Sequence, residues 1–476
     1  MILIVLFIKY KDIDSECYSE DGKTLTKVTD PYPNLRISAQ CEIIEEKCFY
    51  ELKSLEYFTF EENPNLTVVG KESFSRCNNI KIIDLSFCNK LTKISESAFS
   101  GCSNVAELIL PKGLLEILLS AFHNIEHITN VTIPASVEII GRAAFSFCHS
   151  LKNVIFEEGS NLTSLEYEVF TNTQITSFRI PEKVTKVNGW AFDNSELTNL
   201  TVDDKNEHIK IENNIVFSKD KKVLFFIWNK SETFEIPDCV TTLGDLLFFN
   251  SKLKSITIPE SVITIEDYCF GSTKLTSIII PENVKKIRDC AFSHCYELIN
   301  ITFKGSFEIG NSIFSWCTNL EHVIFPNTSM IIDSRSLCNH DTPKLTISFT
   351  NKTLFSFGSI SSIKNISVSY LTEPYLIIDT YSIVMNYDRT EIYECWGYNY
   401  GNSVTMIPET VETIRVSAFE NSTISFLMFS SNSKLSVIQS YAFRNCSKLS
   451  GFNIYLTKLE KIGNSAFKGA PVCTFI

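Results

Sequence analysis

One phenylalanine recurs at nearly constant spacing through most of this 476-residue chain, and this recurrence limits the available folds more than any other feature. Within each run the spacing is 22 to 25 residues, and Leu337 replaces the aromatic residue once. The landmark positions are Phe49, Phe74, Phe99, Phe122, Phe145, Phe170 and Phe192, then Phe248, Phe270, Phe292, Phe314 and Leu337, and finally Phe419, Phe443 and Phe467. A period of this length indicates a solenoid, in which each repeat packs only against its neighbours.

Each repeat carries further signals in phase with the landmark. An aliphatic residue stands five positions earlier in every unit, and eight of the fourteen prolines stand eleven positions earlier. In the clearest unit, Ile278 and Ile280 alternate as in a strand, and Pro281 ends that strand because it cannot donate to a ladder. A second short extended piece contains Ile287, and Phe292 follows in a turn. We therefore predict a leucine-rich-repeat-like solenoid, mostly β, with parallel strands stacked one rung per 22–25 residues, short helical turns and β-hairpin insertions.

These residues resemble the leucine-rich repeats of the BspA-like family of surface proteins. That family's unit reads approximately L-x-x-I-x-I-P-x-S-V-x-x-I-G-x-x-A-F-x-x-C. The match is close from Ile133 through Phe145 to Cys148, again from Ile258 to Val262, and it covers most of the chain from about residue 37. The resemblance implies a surface-associated protein that binds other proteins or mediates adhesion. It identifies no ligand, and we expect a host or matrix protein.

The repeat is interrupted twice, after Phe192 and after Leu337. Residues 17–25, 216–224 and 384–392 each place an Asp-centred polar turn between apolar runs, a pattern typical of a β-hairpin. In the second interruption, residues 345–349 and 363–368 keep strand-like alternation, which predicts two degenerate strands. The expected organisation is one continuous solenoid with an N-terminal hairpin or cap at 1–36, repeats at 37–202, a hairpin insertion at 203–235, repeats at 236–337, degenerate repeats and a hairpin at 338–405, and repeats at 406–476.

Sixteen cysteines raise the alternatives of a disulfide framework, a metal site or structural thiols. Six of them stand three positions after the landmark, where other units have Ser, Thr or Ala, as at Ser195, Thr273 and Ala470. A position that accepts these residues requires a small side chain, so we interpret most of the cysteines as free thiols in the core. The chain has no C-x-x-C pair and no phosphate-loop, nucleophile-elbow or zincin motif. We therefore expect no catalytic residues, no metal and no cofactor.

Charge and hydropathy limit the partners. The chain has 43 Lys and Arg against 55 Asp and Glu, a net charge of −12, with no basic run, which argues against binding to nucleic acid or to an anionic membrane. No later stretch approaches the roughly 20 apolar residues of a spanning helix, so we expect no direct membrane insertion. The apolar start MILIVLFI has its charges after it, which favours a first strand or a disordered start over an export signal. The resemblance implies a cell-surface or secreted protein, and a cytoplasmic location is the alternative.

The sequence also indicates a binding face. In L-x-x-I-x-I the residue between the two inward positions points out of the sheet. The candidate partner-binding residues at this position are Ile109, Thr132, Ile155, Arg179, Ile279 and Ile324. High β-propensity explains Ile and Thr equally well, but an exposed stripe of this kind often marks an interaction site. The predicted function is non-enzymatic protein binding at the cell surface, as in an adhesin or surface antigen, with an intracellular interaction scaffold as the alternative.

The last residues, Val472–Ile476, have the pattern of the first strand of a further rung, with no capping unit after them. An uncapped rung leaves backbone groups unpaired. We therefore expect either end-to-end self-association or a natural continuation of the array.

Overall fold

A computed structural model describes residues 8–228, 231–326, 330–333, 345–349, 353–356, 366–370, 376–378, 383–386, 388–395, 404–453, 459–471 and 474–475. The apolar start at 1–7, Leu337, and three residues of the C-terminal tail, Val472, Cys473 and Ile476, lie outside these ranges. The chain divides into two compact units, unit 1 at 1–229 and unit 2 at 230–476. Most described rungs in both units have a longer strand before the proline position and a shorter strand after it. These stack into a long-strand sheet and a short-strand sheet.

The repeat strands of unit 1 that pair with one another do so in parallel and in register, as predicted, with Asn130 opposite Asn153 and Glu116 opposite Ile139. The long strands are Lys11–Asp12, Asn34–Ile37, Tyr57–Phe60, Ile82–Asp84, Glu107–Ile109, Asn130–Ile133, Asn153–Phe156, Ser177–Ile180 and Asn199–Val202. The short strands are Thr24–Leu25, Ile43–Ile44, Val68–Val69, Lys93–Ile94, Glu116–Ile117, Ile139–Ile140, Ser164–Leu165 and Lys186–Val187. Three further strands, Ile209–Glu212, Ile215–Ser218 and Val223–Ile227, follow them.

Unit 2 repeats the arrangement, with Ser277 opposite Asn300 and Thr264 opposite Lys286. Its long strands are Thr233–Glu235, Ser255–Thr257, Ser277–Ile280, Asn300–Phe303, His322–Ile324, Leu345–Phe349, Ile366–Tyr370, Val404–Ile407, Phe426–Phe429, Gly451–Asn453 and Thr474–Phe475. Its short strands are Thr242–Leu243, Thr264–Ile265, Lys286–Ile287, Glu308–Ile309, Met330–Asp333, Thr353–Ser356, Thr413–Ile414, Val437–Ile438 and Lys461–Ile462. Three more strands pair in antiparallel fashion: Ile383–Asn386 lies between Leu376–Ile378 and Glu391–Cys395 and pairs with both.

The landmark lies in a turn that hydrogen-bonds to the next rung and does not form a helix. The backbone N–H of Phe145 donates to the carbonyl of Val169 at 3.1 Å. Ala143 and Phe147, two positions to either side, have φ angles of 55° and 60°, and their N–H groups donate to the same following turn. Left-handed residues cannot continue a right-handed helix, so this turn ladder replaces the short helical turns that we expected. Among the described residues, the one helical segment is the 3-10 turn Ser15–Cys17.

The landmark rings form a stacked column in the core of each unit. Phe122, Phe145 and Phe170 are fully buried, with ring centroids 5.3 Å and 5.9 Å apart and interplanar angles of 16° and 17°. In unit 2, Phe270 and Phe292 stack at 5.3 Å and 2°. Offset stacking contributes about 0.5–1.5 kcal/mol per pair beyond the burial of area. The column therefore binds each rung to the next.

The Asp-centred segments form antiparallel turns, as predicted. In unit 1, Ile215–Ser218 pairs with Val223–Ile227, and in unit 2, Ile383–Asn386 pairs with Glu391–Cys395. Asp220 Oδ1 accepts hydrogen bonds from the Ser218 hydroxyl at 2.6 Å and from the backbone N–H of Lys222 at 3.0 Å. In the N-terminal segment, Tyr18 and Leu25 form an isolated antiparallel bridge.

The degenerate region and the C-terminal tail keep the parallel pairing. Leu345–Phe349 pairs with Ile366–Tyr370, which confirms two strands there. The pairing of Met330–Asp333 with Thr353–Ser356 was not expected from the sequence. Thr474–Phe475 pairs in parallel with Gly451–Asn453, so the tail starts a further rung, as predicted.

Candidate protein-binding face

The outward side of the long-strand sheet is set by strand alternation. In Asn130–Ile133, the side chains of Val131 and Ile133 are buried, whereas that of Thr132 is exposed. Successive side chains of a strand point to opposite faces, so the residue between two core positions must face outward. Ser177–Ile180 and Ser277–Ile280 show the same alternation.

In unit 1, four predicted site residues lie on this outward side, and we call them the unit-1 stripe: Ile109, Thr132, Ile155 and Arg179. Thr132 lies directly opposite Ile155 in the parallel register. Ile155 is 54% exposed, Arg179 is exposed and Ile109 is half-buried. A β-branched apolar side chain is thus presented to solvent on an ordered sheet.

In unit 2, the remaining two predicted residues, Ile279 and Ile324, flank Thr302, one in the preceding rung and one in the following rung. We call these three residues the unit-2 stripe. Ile279 pairs with Thr302, which pairs with Ile324. Ile279 is 55% exposed and Ile324 is 36% exposed. The structure therefore places all six sequence-predicted residues on the outward side of their strands, in two separate stripes.

A cleft of about 550 Å³ lies along the unit-1 stripe, and we call it the stripe cleft. Three consecutive rungs line it, through residues 154–160, residues 179, 181 and 182, and residues 203–205. Its apolar lining includes Ile155, Phe156 and Pro181, and Arg179 and Lys205 are its two cations.

Internal ion pairs organise the charges of the stripe cleft. The Arg179 guanidinium lies 3.3 Å from Asp203 and 3.4 Å from Asp204, and the Lys205 ammonium lies 3.3 Å from Glu158. The hydrogen bond from the backbone N–H of Lys205, together with Arg179, lowers the pKa of Asp203 below its ordinary value. That carboxylate is therefore ionised at neutral pH.

The comparison with protein families matches the description "BspA type Leucine rich repeat region (6 copies)" to residues 12–126, 115–219, 221–342, 305–375 and 379–476. These matches cover nearly the whole chain. The chain belongs to this BspA-type leucine-rich repeat family.

The BspA-type chain is similar in fold to several solved structures. For a leucine rich cell surface protein from Faecalibacterium prausnitzii, the identity is 22%, the match covers 72% of this chain and 93% of that one, and the TM-score is 0.47. For the pneumococcal vaccine antigen PcpA the values are 18%, 87% and 84%, with a TM-score of 0.40. For a leucine-rich repeat protein from Bacteroides ovatus they are 18%, 96% and 96%, with a TM-score of 0.34. The comparison with curated proteins finds no match.

Two searches of the described ranges complete this survey of the BspA-type chain. No helix in them has the length and apolar character needed to cross a membrane. In the same ranges, no three His, Cys, Asp or Glu side chains are grouped so that they could hold a metal ion.

The sequence did not reveal the stripe cleft, because its lining comes from strands and loops of three different rungs. A signal exists in this BspA-type chain: Glu157 and Asp203 stand two residues after the outward strand position, where Pro134 and Pro181 stand in other rungs. The backbone N–H groups of Glu157 and Asp203 donate to the preceding rung at 3.0 Å and 2.9 Å. Loss of the proline thus extends the ladder by one bond and places a carboxylate at the sheet edge.

A second exposed surface, also missed from the sequence, lies on the landmark turns of unit 2. Trp316 is 40% exposed and Tyr296 is 46% exposed. The His294 ring contacts both, with centroids 6.1 Å from Trp316 and 6.0 Å from Tyr296. Aromatic residues are enriched at protein interfaces, so these turns offer an alternative contact surface.

The cysteines after the landmark donate hydrogen bonds in the core of the BspA-type rungs. The thiol of Cys148 donates to the carbonyl of Phe122 in the preceding rung, at 3.3 Å, and that of Cys77 donates to Phe49 at 2.9 Å. Burial raises the pKa of Cys148 to about 12, so its thiol stays protonated and can donate. This geometry supports the interpretation of these cysteines as small core residues.

Thiol counting tests that interpretation. None of the fourteen described cysteines takes part in a disulfide. We expect most of the chain's sixteen cysteines to react with a thiol reagent after denaturation without reductant. In the native protein the exposed Cys239 should react first, because a buried thiol with a raised pKa is inert. Oxidation of most cysteines in freshly isolated protein would contradict this interpretation and favour an extracellular disulfide framework.

Proposed function

We propose that this chain is a non-enzymatic protein of the cell surface that binds another protein, such as a host or matrix protein, through the outward side of its long-strand sheet. The observation that carries this proposal is the exposure of Ile155 and Ile279, each more than half exposed on an ordered strand. Apolar side chains held outward by a rigid scaffold often mark interaction sites. The neighbouring Thr132, Arg179 and Thr302 add hydrogen-bonding groups around each anchor.

The surface location is supported by the resemblance to BspA-like surface proteins. Biotinylation of intact cells with a reagent that does not cross membranes, followed by detection of this chain, tests it. We expect labelling of intact cells at a level close to that after lysis. Labelling that requires lysis would contradict the surface location.

Charge introduced on the stripes is expected to disrupt binding without unfolding the protein. Ile109→Lys, Ile155→Lys and Ile279→Lys should each leave the far-UV circular dichroism spectrum unchanged, because these side chains face outward. Binding to a protein captured from a host or matrix extract should weaken by more than about 1 kcal/mol in at least one variant, as expected for an interface anchor.

Matched controls come from the short-strand sheet. Ile139 lies in the short strand Ile139–Ile140, and Ile263 directly precedes the short strand Thr264–Ile265. Each is 45% exposed, so Ile139→Lys and Ile263→Lys make the same chemical change outside the long strands. They should leave binding unchanged. If a variant that carries all three substitutions, Ile109→Lys, Ile155→Lys and Ile279→Lys, still binds fully, the binding site must lie on the hairpins or on the landmark turns.

The free thiols favour a second candidate, an intracellular interaction scaffold that uses the same stripes. Disulfides form mainly in oxidising compartments, and no disulfide involves any of the fourteen described cysteines. The stripe variants test binding in both cases, whereas the biotinylation experiment separates the two locations.

A further inference from the structure

The stripe cleft carries an inference about the kind of partner, and this inference rests on the proposed function. Ile155, the more exposed of the two isoleucines in the unit-1 stripe, lines the cleft together with Phe156 and Pro181. The cleft extends over three rungs, which at about 4.8 Å per rung corresponds to roughly 10 Å. Three or four residues of an extended chain, at about 3.3 Å each, fit along that length.

The charge of the cleft is strongly one-sided. Five carboxylates line it, from Glu157, Glu158, Glu182, Asp203 and Asp204, against the two cations Arg179 and Lys205. Both cations are paired with carboxylates of the cleft itself. The lining therefore has a net charge of −3, on a chain whose total net charge is −12.

The acidic groups lie around the apolar floor at different depths. Glu158 and Asp204 are 91% and 96% exposed, so they can meet a cation without losing much hydration of their own. Asp203, by contrast, is 30% exposed and held by Arg179. The well-exposed carboxylates Glu158 and Asp204, each ion-paired with a cation of the cleft, thus form its rim, and the less exposed Asp203 lies deeper.

We propose that the stripe cleft binds a segment of the partner protein in which Lys or Arg side chains flank a large apolar side chain. The apolar side chain packs on Ile155 and Pro181, and the flanking cations meet the rim carboxylates. Charge complementarity of this kind mainly sets specificity and the rate of association, and the apolar contact supplies the anchor.

Three short peptides test this directly: Gly-Lys-Leu-Lys-Gly, Gly-Glu-Leu-Glu-Gly and Gly-Lys-Ser-Lys-Gly. Each is titrated into full-length protein carrying isotope-labelled isoleucine δ1 methyl groups, and the Ile155 signal is assigned with Ile155→Val. We expect the first peptide to shift the Ile155 signal and to bind about tenfold more tightly than the other two, a difference of about 1.4 kcal/mol that lies within the range of a single interface anchor. The Ile139 signal should not move.

The second part of the test removes the charge of three lining carboxylates, the two at the rim and Glu182. Glu158→Gln, Glu182→Gln and Asp204→Asn together should weaken the first peptide about tenfold, in line with the effect of removing rim charges from a complementary interface. The control triple Glu16→Gln, Glu62→Gln and Glu138→Gln changes three exposed carboxylates elsewhere in unit 1 and the net charge by the same amount. It should change the affinity less than about twofold, because distant exposed charges are screened by salt.

Equal weakening by both triples, equal binding of the acidic peptide, or an unmoved Ile155 signal would each overturn the cleft assignment. If Ile155→Lys disrupts binding of a captured partner while the peptides fail, the cleft assignment is wrong and the proposed function stands. If every stripe variant binds the partner normally, the proposed function is wrong, and the peptide titration then decides the cleft by itself.

Discussion

Replacing Phe145 with Ala is expected to lower the free energy of unfolding of unit 1 by about 3–5 kcal/mol. The ring is fully buried and stacks between Phe122 and Phe170, so its removal opens a cavity between three rungs. Urea unfolding followed by far-UV circular dichroism measures the loss. In a linear array the loss can show as a separate local transition, because each rung contacts only its neighbours.

Phe147→Ala is the matched control for this variant. Phe147 belongs to the same turn, but its ring is 40% exposed and contacts the rings of His123 and His149. Its replacement should cost less than about 1 kcal/mol, as for most surface positions. A loss of that size for Phe145→Ala as well would contradict the central role of the landmark column.

Cys148→Ala is expected to cost about 1–3 kcal/mol, since it removes the thiol that donates to the buried carbonyl of Phe122. Cys148→Ser should cost less, because a hydroxyl at this position can bond within its own turn. Ser195 and Thr273 do so, donating to the carbonyls of Phe192 and Phe270 at 2.6 Å and 2.8 Å. Urea unfolding of the two variants measures the difference.

Cys239→Ser serves as the control, because Cys239 is exposed, and it should leave stability unchanged. If Cys148→Ala were as stable as the wild type, the thiol would matter only for its size. A Cys148→Ser variant less stable than Cys148→Ala would show that the rung does not satisfy a hydroxyl there.

The sequence was sufficient to predict the rung and its strands, since each depends on residues close together in the chain. Ile133 and Pro134 are an example: the first is buried in the long-strand sheet, and the second ends the strand. Parallel stacking followed from the period, because a unit that cannot bury its own apolar face needs neighbours on both sides. The outward direction of Ile155 followed from simple alternation.

The turn ladder, in which each landmark turn hydrogen-bonds to the next, was not predicted. It depends on positive φ angles, which residues of many types adopt in these turns. Ala143 and Phe147 have positive φ, which costs a non-glycine residue about 1–2 kcal/mol when nothing compensates it. One signal was present two positions after the landmark, where Asn and Gly are frequent: Gly101, Asn124, Asn172, Asn194, Asn250, Asn421, Asn445 and Gly469. Asn and Gly are the residues that enter this region most easily, so their recurrence could have indicated it.

The stripe cleft lay beyond prediction for another reason. Glu157, Glu182 and Asp204 are separated by more than twenty residues from rung to rung, and only the stacking register brings their loops to one edge. The secondary-structure propensities and the hydrophobic pattern of a single rung do not indicate which loops of other rungs will lie beside it.

The turn ladder has a bearing on how such a chain can change in length over evolution. Each turn donates its N–H groups to the following rung and accepts from the preceding one, as Phe122 does toward Ala144 and Phe145 toward Val169. Every internal repeat therefore presents one donor side and one acceptor side, whatever its outward residues are. Duplication or deletion of a whole repeat rejoins a donor side with an acceptor side, whereas a fractional insertion displaces a landmark ring from its column. Homologues are thus expected to differ in length by whole repeats of 22–25 residues, with irregular insertions confined to the hairpins.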